Sequence, residues 1–194
     1  PADVVEEVIR IYGYESLPET LPTGGAVSIV RDPARLTDRV AQDALVAAGL
    51  TQVITYSMVS DTDLVHISAA GGDLPEVLGA YPRPELDFVR ATNPLRADWE
   101  IMRPTLLPSL LHIVAENRKY VERVAIFETA RTYQPRGRDE LPEEPRSVAI
   151  AMSGAREPES WYRTDESDLD FFDLKGVVES LGRRLGAGQL KWVA

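Results

Sequence analysis

Residues 93–134 read "NPLRADWEIMRPTLLPSLLHIVAENRKYVERVAIFETARTYQ". Asn93-Pro94 is a turn signal. A helix must begin close to Pro108, because proline is tolerated in a helix only in the first turn. Leu107, Leu110, Leu111 and Val114 recur at helical spacing and form its expected buried face. "RVAIFETARTY" then changes period and reads as a strand, or as two short ones.

The reading extends in both directions. Downstream, residues 134–146 are polar and Pro-rich, "RSVAIAMSG" (146–154) is a second strand, and residues 155–168 are an acidic loop. "DLDFFDLKGVVESLGRRLG" is an amphipathic helix carrying Phe171, Leu174, Val177, Val178, Leu181 and Leu185 on its apolar stripe. Upstream, "LDFVRATNPLR" is a strand entering the turn, 68–85 is a loop, and a short helix starts at Ser60. The β-branched run in "TQVITYSMVS" predicts a strand at 53–59. Asp32-Pro33 is a helix start, with an N-cap and Pro at the first helical position. Leu36, Val40, Ala44, Ala47 and Ala48 make one face of that helix, which Gly49 ends. Val4, Val5, Val8, Ile9 and Tyr12 predict a first short helix stopped by Gly13. Helices and strands mix without regular alternation, so the expected class is α+β with a mainly antiparallel sheet flanked by helices. The expected organisation is the end of a small domain at 1–17, a linker at 18–25 and a main domain at 26–194. The chain starts inside a helical pattern without Met and ends on a strand-like run, so it reads as a piece of a longer protein.

Composition limits the function. Of 194 residues, 21 are Lys or Arg and 31 are Asp or Glu, giving a net charge of −10. A broad phosphate-binding surface needs clustered cations, so such a surface is not expected. There is no cysteine, which excludes disulfides and thiolate metal sites. No apolar run approaches the ~20 residues of a membrane span. The expectation is a soluble, cytoplasmic chain. His66 and His112 lack nearby ligand partners in sequence, Ser57 and Ser109 lack a nucleophile setting, and Gly71-Gly72 is not followed by a helix start. Asp3, Glu6 and Glu7 crowd the first helical turn. Acids there interact favourably with the helix dipole and need no ligand. They can also share one quarter of the helix surface, and an all-oxygen set suits Mg²⁺.

Three stretches, in order and at this spacing, resemble the β subunit of bacterial phenylalanine–tRNA ligase: "DVVEEVIRIYGYESLP", the "NPL…MRPTLLPSLL…N" run followed by "FE", and "DFFDLKGVVESLG". The resemblance covers almost the whole chain. It implies a class II aminoacyl-tRNA synthetase-like core inside an αβ heterotetramer that charges tRNA with phenylalanine. The catalytic α subunit would hold ATP, and this chain would be a structural core beside it. The resemblance also assigns Asp3, Glu6 and Glu7 to a Mg²⁺ site whose first Asp would lie before Pro1, leaving the site incomplete. The arginine that grips the α-phosphate in the catalytic subunit falls at Gln134, and the glutamate of the returning strand falls at Ser153. Both replacements remove charge that ATP chemistry needs. Residues 134–168 carry nine acids against five arginines, which repels a triphosphate. Leu36, Val40 and Ala44 on one helix, with Leu107 and Leu111 on another, are the expected subunit-interface positions. Without a partner they would favour self-association. Gln134 and Ser153 speak against the alternative of an active adenylate-forming ligase. The acidic charge speaks against a stand-alone RNA-binding module, and little direct contact with tRNA is expected.

Overall fold

The structure is a computed structural model and describes residues 1–21, 23–25, 32–70, 88–96, 98–137 and 140–192, the side chains of 66–70 excepted. The chain divides into two compact units, Pro1–Arg31 and Asp32–Ala194. The expected domain start near Ala26 and residues 71–85 of the expected 68–85 loop fall outside the described residues, while 68–70 belong to the helix Asp61–Ala70 and not to a loop.

In the first unit, helix α1 (Ala2–Tyr12) stops at Gly13, whose φ of 103° is accessible mainly to glycine. The Gly13 N–H donates to the Ile9 carbonyl at 2.8 Å, and a 3₁₀ turn (Tyr14–Ser16) follows. No residue of α1 is buried.

The second unit is built around a hairpin. Strand β4 (Arg123–Arg131) pairs antiparallel with β5 (Arg146–Gly154) over nine residues. On its other edge β4 pairs in parallel with the short β1 (Thr51–Gln52). Side chains alternate faces along a strand. Ala125 and Phe127 pack on one face with Leu45 of α2 (Pro33–Ala47), Leu50, Ile150, Met152, and Val177 and Leu181 of the C-terminal helix. Val124 and Ile126 pack on the opposite face with Leu106, Leu110, Ile113 and Val114. The sheet therefore lies between helices on both faces. A separate two-stranded sheet joins β2 (Met58–Val59) to β3 (Ile101–Met102).

Local chemistry explains the helix ends. Asp32 accepts from the Ala34 N–H at 2.9 Å, with Pro33 opening α2. Ser60 and Asp63 exchange side-chain and backbone hydrogen bonds at the start of α3 (Asp61–Ala70). The helix containing Pro108, now α4, spans Leu107–Asn117 with the proline in its first turn. The last helix, α5 (Phe171–Leu185), has a full capping box between Asp170 and Asp173 and a left-handed Gly186 at its end.

Four expectations change. Of the expected 53–59 strand only Met58–Val59 joins a ladder, and a separate short strand lies just before it at Thr51–Gln52, because after Val53 the chain bonds to side chains. The Thr55 N–H and hydroxyl donate to Glu128, and Arg103 takes the Tyr56 carbonyl. The "LDFVRATNPLR" segment, where described, makes only an isolated bridge between Arg90 and Ile101. The three-stranded sheet is mixed, with β4 and β5 antiparallel as expected and the short β1 parallel to β4. The apolar face of α2 is rotated from the expected one: Ala41 and Leu45, not Leu36, are buried. On α4 Leu110 and Val114 pack on the sheet as expected, but Leu111 is 52% exposed.

Candidate functional site

The β4–β5 register sets one face of the hairpin as a row of cross-strand pairs: Val124 with Ser153, Ile126 with Ala151, Glu128 with Ala149, and Ala130 with Ser147. Glu128 is the one ionisable member. Its carboxylate meets the Arg103 guanidinium at 3.0 Å, with the two side chains 2% and 4% exposed. Thr55 completes the set. Its hydroxyl donates to Glu128 at 2.7 Å and accepts from Arg103 at 2.8 Å. Arg103 Nε donates to the Arg131 carbonyl at 3.1 Å. A buried charge pair of this kind is tolerable because every polar group around it has a partner.

Apart from Ser147 and Ser153 near its ends, the remainder of that face is apolar. Ala149 and Ala151 pack into the cluster of Leu106, Leu110, Ile113 and Val114. Ser153 is cross-strand to Val124, at the far end of the hairpin from Gln134. The Gln134 backbone instead pairs with Glu143, and its side-chain amide donates to the Pro104 carbonyl at 3.0 Å. Along the hairpin the two positions are roughly 30 Å apart at about 3.3 Å per residue. The structure does not bring them together.

Nor does the acidic stretch keep a cation available for phosphate. Each described arginine between 134 and 168 already faces a carboxylate: Arg136 with Glu143, Arg146 with Asp38, Arg163 with Glu122, and Arg156 with Asp165, Asp170 and Asp173. The hydrogen bond to Asp173 is the main reason Arg156 holds its proton more firmly than usual. Asp173 is held below the ordinary aspartate range by the Asp170 N–H first and by Arg156 as well.

The other sequence candidates are dispersed. Asp3, Glu6 and Glu7 are exposed, and Glu7 is bound by Arg10 at 2.6 Å. Among the described residues no three His, Cys, Asp or Glu side chains are grouped closely enough to hold a metal. The three carboxylates as arranged do not fit Mg²⁺, which needs converging oxygens. His112, which lacked a partner in sequence, meets Asp63 at 2.7 Å. The His66 side chain lies outside the described residues. Leu36 and Leu111 are exposed, while Val40, Ala44 and Leu107 are half-buried.

A family model described as the phenylalanyl-tRNA synthetase beta chain CLM domain matches residues 17–194. The chain belongs to this family. A phenylalanine–tRNA ligase β subunit from Syntrophus aciditrophicus is 37% identical over 92% of the chain and 21% of that protein. One from Moorella thermoacetica is 36% identical over 99% of the chain and 22% of that protein. The chain thus spans about a fifth of the curated relatives' length. Among solved structures, a pyrrolysyl-tRNA synthetase from Desulfitobacterium hafniense aligns with a TM-score of 0.56 at 14% identity, covering 99% of the chain and 56% of that one. Another structure of pyrrolysyl-tRNA synthetase from that organism gives 0.53 at 13% identity, covering 98% of the chain and 55% of that one. The chain shares the fold of these two synthetase structures.

Within this synthetase β-chain family member, the arginine of "MRP" and the glutamate of "FE" were part of the most specific stretch of sequence, yet their pairing was not expected. A signal was present. Arg103 and Glu128 are lone charges inside apolar runs, "IMRP" and "AIFETA". Charges so placed are buried only when paired. The Arg156 cluster and the Asp63–His112 contact had no comparable signal, because their partners lie far apart in an unremarkable polar sequence.

Proposed function

We propose that this chain is the non-catalytic core of a phenylalanine–tRNA ligase β subunit. It supports the catalytic α subunit in the ATP-dependent charging of tRNA with phenylalanine, in the cytoplasm. One observation carries the reading. The hairpin face that carries Ser153, where the resemblance places the glutamate of the catalytic subunit, also holds Ala149 and Ala151, covered by Leu106, Leu110, Ile113 and Val114, and its one carboxylate, Glu128, is buried against Arg103. A face so packed and paired leaves no free charge and little space for a nucleotide. ATP belongs to the α subunit in this reading, and the net charge of −10 leaves tRNA contact mainly to other parts of the assembly.

Of the expected interface positions, Leu36 on α2 and Leu111 on α4 are exposed and so available for subunit contact, while Val40, Ala44 and Leu107 are partly covered. Light scattering on a size-exclusion column tests the assignment, using the chain alone and mixed with the α subunit. A mixed species is expected, and replacing Leu36 and Leu111 by Asp should weaken it. Phenylalanine-dependent ATP–pyrophosphate exchange by the chain alone would refute the non-catalytic reading.

A further inference from the structure

The loop between β5 and α5 carries the most exposed aromatic side chain described in the second unit, Trp161, with a second exposed ring beside it. Trp161 is 95% exposed and Tyr162 68%, and their rings meet edge-to-face with centroids 5.4 Å apart. A single exposed aromatic is ordinary. Here the pair sits on a turn that is fastened on both sides. The Glu157 carboxylate accepts from the Thr164 and Asp165 N–H groups at 3.1 and 3.3 Å, closing the base of the loop. Within it, the Arg163 N–H donates to the Ser160 carbonyl. The Arg163 side chain turns away from the tip, donating to Glu122 at 3.0 Å and to the Asp165 carbonyl at 3.1 Å. Further down, the Arg156 N–H donates to the Ser167 carbonyl and the Leu169 N–H to the Gly154 carbonyl, anchoring the loop to the end of β5. The aromatic tip is therefore preorganised, so little ordering entropy is lost when it is covered.

The unpaired charges described on this loop are acidic, because its two arginines, Arg156 and Arg163, are both ion-paired. Glu159 and Glu166 are exposed and have no ion-pair partner among the described residues. Arg163, next to the tip in sequence, is occupied by Glu122. Nucleic acid would be repelled by these carboxylates. A guanidinium or ammonium group gains twice, from the acids and from the face of the indole ring. Tryptophan and tyrosine are also the residues most often dominant at protein interfaces.

We propose that the Trp161–Tyr162 tip, with Glu159 and Glu166, is a docking element for an arginine- or lysine-rich segment of a partner protein. The test is calorimetric titration of the full chain with a hexa-arginine peptide in physiological salt, alongside W161A, the E159Q/E166Q pair and a uridine-rich RNA oligonucleotide. Saturable peptide binding is expected, weakened at least tenfold in both variants, with unchanged far-ultraviolet circular dichroism. In the unmodified chain, the indole N–H resonance that is missing from W161F should shift on adding peptide, a reading that does not depend on the alanine variant folding. Equal binding by wild type and W161A would place the peptide elsewhere on the acidic surface. That result, no binding at all, no shift of the resonance, or tighter binding of the RNA each overturns the proposal.

Discussion

Arg103 and Glu128 meet at 3.0 Å inside the protein, and Thr55 bridges them. The pair ties β4 to the segment after β3 and to the chain between β1 and β2. Breaking one side leaves the other charge buried and unpaired, which costs roughly 3–5 kcal/mol. Arg103→Met and Glu128→Leu alone should each lower stability by about that amount. The double replacement should recover a large part of the loss, because two apolar groups leave no orphan charge. Urea midpoints of the four proteins check this. Single variants within 1 kcal/mol of wild type would mean that water reaches the unpaired charge.

Gly154 ends β5 at a φ of +87°, and a Cβ there would collide with the Glu122 carbonyl oxygen and the Arg118 guanidinium. Gly154→Ala is expected to cost about 2 kcal/mol or more, combining the left-handed penalty with a clash against backbone. Gly186 also has positive φ, at +73°, but faces open space. Gly186→Ala should cost only about 1 kcal/mol. Equal losses in thermal unfolding would show that the backbone near Glu122 yields.

Asp63 joins two helices. It closes the first turn of α3 through Ser60, and its second carboxylate oxygen meets His112 on α4. Burial alone would raise its pKa, but the hydrogen bonds from His112 and Ser60 outweigh this and hold it below the ordinary aspartate value. The folded chain then binds fewer protons than the unfolded one in acid. This contribution is present above the unfolded value of about 4 and is lost as pH falls through the folded one. Asp63→Asn should lower stability at pH 7 by about 1 kcal/mol. The gap to wild type should narrow steadily below about pH 4, measured by denaturant unfolding at each pH. A gap independent of pH would contradict the assigned role.

The carboxylates of α1 are expected to bind Mg²⁺ only weakly. Glu7 is committed to Arg10, and Asp3 and Glu6 do not converge with it on a common point. Calorimetric titration of this chain should show no saturable site up to roughly millimolar Mg²⁺, unchanged in Asp3→Asn. A tight site abolished by that substitution would mean that the metal itself rearranges the turn.

The helices were legible because their signals are local. Asp32-Pro33, Pro108 in the first turn and Gly186 after the last repeat mark ends that depend on nearby residues. The hairpin was legible because both strands are long and apolar. What escaped depended on distant residues. The break after Val53 exists because Glu128 and Arg103, far along the chain, take over the hydrogen bonds of Thr55 and Tyr56. The buried face of α2, and Leu111 on α4, were misjudged for a related reason. Both helices carry apolar residues over more than half their circumference, so the period alone did not show which side meets the sheet. The resemblance marked Gln134 and Ser153 as two replaced motif positions, and only the strand register showed that they lie at opposite ends of the hairpin.

The parallel pairing of β1 with β4 has a kinetic consequence. Thr51 must find Ile126, whereas β4 needs only a short connection to reach β5. Closing the longer loop carries the larger entropic cost, and contacts distant in sequence form late. During synthesis α2 and β1 leave the ribosome first, yet their place in the sheet does not exist until β4 has emerged. The early-made segment must therefore wait with its apolar side uncovered. In pulsed hydrogen exchange, the β4–β5 amides should gain protection before the Val53 N–H, which bonds the Phe127 carbonyl. The order of manufacture and the order of assembly run in opposite directions along this chain.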